Sequence, residues 1–92
     1  MSDDLTTLSL SELREFAEAL ETFKDNIEKR CRNMESGMNS CSQFMKDEVS
    51  KQLLGKAGQA VADIRECLKP TILLLERIYR MIEVMKEYEM ER

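Results

Sequence analysis

Three thiols and a few closely spaced carboxylates are the side chains best suited to chemistry in this chain, which contains no histidine. Cys31, Cys41 and Cys67 are odd in number and irregular in spacing, so they do not form a recognisable disulfide framework. A zinc site would need a carboxylate as fourth ligand, because imidazole is absent. Packing as small hydrophobes is the simpler reading of all three. Glu18 with Glu21, or Asp47 with Glu48, could act as paired carboxylates, yet a solvated helix face accounts for both pairs. No Ser, Thr or Cys has an activating partner in the pattern. "GKAG" at 55–58 lacks the Lys-Ser/Thr that would follow the last glycine of a phosphate loop. The seven methionines could bind copper or an adaptable peptide, but most lie at core periodicity. The expectation is therefore a non-enzymatic protein with no catalytic residue, no cofactor and no metal, whose function is carried by surface.

The elements that would form that surface are helical. The 92 residues allow one small domain, and 35% charged residues with 5% aromatics, one proline and three glycines suit long amphipathic helices. Ser9 and Glu12 have the spacing of a capping box, with Leu8 and Leu13 placed for a hydrophobic staple. Leu13, Leu20, Ile27, Met34 and Cys41 then recur every seven residues, flanked by Phe16 and Phe23. This predicts a first helix over about 9–37. The Ser-, Asn- and Gly-rich stretch "SGMNSCS" predicts a turn at about 38–42. A second helix over about 43–89 follows from Leu54, Val61, Leu68, Leu75 and Ile82, with Ala57, Ile64, Ile78 and Met85 beside them. Pro70 predicts a kink at 69–71. The fold class is thus all-α, an antiparallel helical hairpin.

With the turn centred near residue 40, facing positions should sum to about 80, opposing Phe23 to Ala57 and Phe16 to Ile64. Gly55, Ala57, Gly58, Ala60 and Ala62 would then allow a close helix approach. Cys31 would lie roughly 27 Å from Cys67, beyond disulfide reach. Helix 1 would run out opposite residue 71. That leaves Ile72, Leu74, Leu75, Ile78, Met81, Ile82 and Met85 uncovered, each worth roughly 1.5–3 kcal/mol if buried. These seven are the expected partner interface, and a four-helix bundle built from two hairpins is the expected assembly.

Charge and hydropathy narrow the partners. A net charge of −4 disfavours nucleic acid, and the longest strictly apolar run, Ile72 to Leu75, is too short for membrane insertion. The acidic opening "MSDDLTTLSL" lacks the basic region of a signal peptide.

"FMKDE" at 44–48 and "YRMIE" at 79–83 carry a resemblance to a known group. The chain resembles the small Trp-x-Gly helical-hairpin proteins of bacterial type VII secretion, as a divergent member lacking that signature. Phe44 stands at the aromatic position, Lys46 replaces the glycine, and Phe44 to Asp47 loosely echoes an aromatic-x-Asp variant. Tyr79 and Glu83 fit the family's Tyr-x-x-x-Asp/Glu export signal, and "LREFAEALETF" is similar to its first-helix pattern. The resemblance implies a secretion substrate or targeting partner, which forms a homodimer or a heterodimer with another hairpin or with a helical effector N-terminus. It would present Tyr79 and Glu83 to a secretion ATPase. It would reside in the cytoplasm before export and be secreted without a cleaved signal peptide. The alternative is an intracellular helical adaptor or scaffold, forming a coiled-coil-like bundle with no secretion role.

Overall fold

The computed structural model describes residues 9–90, with side chains to residue 88. They form two helices, α1 (Leu10–Ser42) and α2 (Glu48–Met90), and no strand among the described residues. The hairpin is therefore as the sequence predicts. Its turn is not where the sequence places it.

The capping box forms at the start of α1. The Glu12 amide donates to Ser9 Oγ at 3.1 Å, and the Ser9 hydroxyl donates to Glu12 Oε1 at 3.2 Å. Leu8, the other half of the expected staple, lies outside the described residues. α1 then runs straight through the stretch expected to turn. Met38 is half-buried, seven residues after Cys31 on the same face, so tertiary contact overrides the weak helix propensity of Ser, Gly and Asn. Gly37 is exposed and helical, without positive φ.

The chain reverses at 43–47. Phe44 and Met45 amides both donate to the Cys41 carbonyl at 2.9 Å, closing the last turn of α1. Asp47 then caps α2: the Ser50 amide donates to its Oδ2 at 3.1 Å, and the Lys51 amide to its carbonyl at 3.0 Å. Ser40, in the stretch predicted to turn, lies inside α1 and caps neither helix. α2 is continuous through Pro70, where Glu66 loses the amide donor that any other residue would supply.

The chain divides into two compact units, one of Met1–Lys24 with Pro70–Arg92 and one of Asp25–Lys69. In the first, Leu13, Ala17, Leu75, Ile78 and Ile82 form a buried cluster, with Leu10, Leu20, Met81 and Met85 packed against it. In the second, Cys31, Val61 and Leu68 are buried. The heptad stripe predicted for α2 is thus its core face, from half-buried Leu54 to Ile82. On α1 the predicted stripe also faces inward at Leu13, Leu20 and Ile27, but the flanking stripe is displaced by one position. Ala17 and Cys31 point inward, while Phe16 and Phe23 remain 49% and 52% exposed.

Candidate functional site

Each residue by which a turn moves along the chain changes the sum of facing positions by two. The reversal at 43–47 therefore moves the sum from the expected 80 to about 90, and the long side chains of the bonded pairs Glu21–Tyr79 and Glu35–Arg65 reach diagonally beyond it, to a sum of 100. This register corrects the expected partner interface. Leu75, Ile78 and Ile82 are covered by Leu13 and Ala17 of the same chain, and Met81 and Met85 pack on that cluster. Only Ile72 and Leu74 of the seven predicted residues stay exposed, together with Leu73 between them. The predicted pairings fall with the same shift: Phe16 and Phe23 are half-exposed, and ideal Cβ atoms at Gly55 and Gly58 meet nothing within 4 Å. The glycines therefore mark no close helix approach. Cys31 lines the same groove as Val61 and Ile64, and, as expected, no disulfide joins it to Cys67. All three thiols are free, with Cys31 buried and Cys41 and Cys67 exposed.

The turn motif divides in two. Asp47 has a local role as the cap of α2, and its hydrogen bonds from Ser50 hold its carboxyl below the ordinary value. Phe44, by contrast, is 85% exposed. The reversal is closed by backbone bonds to Cys41 and by the Asp47 cap, and neither requires an aromatic ring. The cap had a sequence signal that could have located the turn: Asp47 precedes Glu48 and the helical run that follows, the usual order of an N-cap and an acidic first turn.

Tyr79 and Glu83 both lie exposed on α2, four residues apart and so on one face. Ile78 and Ile82, each one position earlier, are buried and fix that face. The Tyr79 hydroxyl donates to Glu21 Oε2 at 2.8 Å, and Lys24 approaches Glu21 Oε1 at 3.0 Å. The Tyr79 hydrogen bond first, and the Lys24 bond second, hold the Glu21 carboxyl below the ordinary range. Glu83 meets Lys86 at 3.5 Å.

Residues that the sequence reading missed lie in the second unit. Arg65 donates to both Glu35 oxygens, at 2.5 and 2.6 Å, a forked pairing that lowers the glutamate pKa and raises that of the arginine. Beside it Ile27, Cys31, Met34, Ala57, Ala60, Val61 and Ile64, with Arg30 at the rim, line an apolar groove of about 300 Å³. Ala57 and Ala60 keep one wall low, and Met34 and Ile64 leave apolar surface open to solvent. No cluster of three or more Cys, Asp or Glu among the described residues could hold a metal ion. No described helix is long and apolar enough to cross a membrane. No family model, curated protein or solved structure matches the chain.

Proposed function

We propose that this hairpin is a small non-enzymatic type VII secretion substrate or targeting partner, which associates with a second helical chain and presents Tyr79 and Glu83 as its export element. The observation that supports this reading is the placement of those two residues. They share an exposed face of α2 while the alternating Ile78 and Ile82 are buried beneath it. A recognition element needs that combination of rigidity and access. The half-exposed phenylalanines and the open apolar groove supply surface for the associated chain.

The export assay is direct. Glu83→Gln keeps side-chain size and should leave stability within about ±0.5 kcal/mol, as for a surface site. Export from a bacterium with an active secretion system should nevertheless fall sharply. Wild-type protein confined to the cytoplasm of such cells, or a Glu83→Gln protein exported normally, refutes the reading. One observation favours an intracellular adaptor instead: the Tyr79–Glu21 bond gives Tyr79 a structural reason to be present. Tyr79→Phe separates the two, because it removes that bond and retains the ring.

A further inference from the structure

Four sulfur side chains share one face of α1. Cys31, Met34, Met38 and Cys41 are spaced three, four and three residues apart, so each lies about one helical turn from the next. Core packing does not account for this series, because Met34 is 53% exposed. Cys31 is only 3% exposed and makes no hydrogen bond among the described residues, yet it lines the apolar groove together with Met34. Ala57 and Ala60 on the facing wall carry no more than a methyl group, which leaves the groove open to a small ligand. The other two thiols lack this setting. Cys67 has no methionine within one turn of it on α2. Cys41 is exposed near the end of α1, and the next methionine, Met45, lies outside the helix.

We infer that Cys31, Met34 and Met38 form a binding site for a single Cu(I) ion, with the Cys31 thiolate as anchor and the two thioethers completing a three-sulfur set. Side chains three or four residues apart on a helix have Cβ atoms roughly 5–6 Å apart. Long helical side chains lean toward the N-terminus, which favours Met34 reaching back toward Cys31 and Met38 toward Met34. The flexible thioethers can close the remaining gap. Thiolate and thioether are soft donors, and they select Cu(I) over harder ions. Zinc finds little here. Imidazole is absent from the chain, no carboxylate lines the groove, and Glu35, next to Met34, is held by Arg65. Charge selects in the same direction. Cu(I) on one thiolate is neutral and can sit among apolar side chains, whereas a divalent ion would keep a positive charge beside Arg30. On binding, Cys31 gives its thiol proton to water as the S–Cu bond forms, and no electron is transferred. The site goes beyond the proposed function and does not depend on export.

Anaerobic titration of the full chain with Cu(I), delivered as its coloured bicinchoninate complex, tests the site. Wild type should withdraw one Cu(I) per chain from the chelator and develop a thiolate-to-copper charge-transfer band in the ultraviolet. An equal amount of Zn(II) should not displace it. Cys31→Ser removes a ligand, so it should weaken retention by more than the roughly 10–100-fold that loss of a supporting residue costs a metal site. Because that thiol is buried, Met34→Leu/Met38→Leu gives a second measure: it keeps side-chain volume and removes only the sulfurs. This variant should weaken retention about tenfold or more. Circular dichroism confirms the fold of each variant. Cys41→Ser and Cys67→Ser should bind as wild type does. No withdrawal from the chelator, displacement by Zn(II), unchanged retention in the leucine variant, or loss of binding in Cys41→Ser would each overturn the inference. A chain that binds Cu(I) as described yet is never exported leaves the inference standing and removes the secretion role.

Discussion

Replacing the glycines of α2 by alanine tests the register most cleanly, because two readings of the fold forecast opposite signs. Gly55 and Gly58 are helical, lack positive φ, and have nothing within 4 Å of an added Cβ. Each Gly→Ala change then removes only the excess conformational freedom of glycine in the unfolded chain. The gain is about 1 kcal/mol per site. The double variant Gly55→Ala/Gly58→Ala should therefore gain about 2 kcal/mol. For a domain of this size each kcal/mol raises Tm by roughly 4–8 °C. Had these glycines let the two helices approach closely, the added methyl groups would overpack the contact and cost roughly 1–3 kcal/mol. Thermal melts followed by circular dichroism, at a concentration low enough to keep the chain monomeric, give the answer. A fall in Tm, or no change in the double variant, would refute the open placement of these residues.

Ile78→Ala should cost roughly 2–5 kcal/mol in urea denaturation, whereas Leu74→Ala, at an exposed site on the same helix, should cost under about 1 kcal/mol; equal losses would contradict the register. Phe44→Ala should change stability by no more than about 0.5 kcal/mol, and a loss of several kcal/mol would show that the ring packs after all. The Glu21, Glu35 and Asp47 carboxyls are lowered chiefly by hydrogen bonds from Tyr79, Arg65 and Ser50, so they contribute stability above the ordinary values of 4.5, 4.5 and 3.8 and lose it as pH falls through their lowered folded values. Urea midpoints should accordingly decline on acidification below those ordinary values, less so in Glu35→Gln, and a flat profile would sink the assignment.

How far the sequence reaches is set by the range of the interaction in question. The core face of α2 was readable because Val61, Leu68, Leu75 and Ile82 repeat along one helix, and periodicity is a local property. The Ser9–Glu12 cap was readable for the same reason. Phe16 and Phe23 misled because their size marks a core, while the inward positions belong to Ala17 and Cys31. A hairpin has only one layer, so it can enclose a narrow face and leaves bulky neighbours at its flanks. The Glu35–Arg65 pair joins residues thirty apart, and no local pattern announces it.

The turn transmits a local error to the whole surface. Propensity placed it in "SGMNSCS", but a helix end needs partners for its last carbonyls and for the first amides of the next helix. The Phe44 and Met45 amides supply a partner for the Cys41 carbonyl, and Asp47 supplies one for the Ser50 amide. Moving the reversal along the chain brings Leu13 and Ala17 opposite Ile78 and Ile82, so the apolar run after Pro70 becomes core. The unsatisfied apolar surface then shifts to Phe16 and Phe23 in one unit and to the Ala57–Ile64 groove in the other. The case for a partner thereby changes its address. It no longer rests on an overhanging end of α2, which any hydrophobic surface could cover. It rests on the two half-exposed rings of one unit and on the open apolar groove of the other.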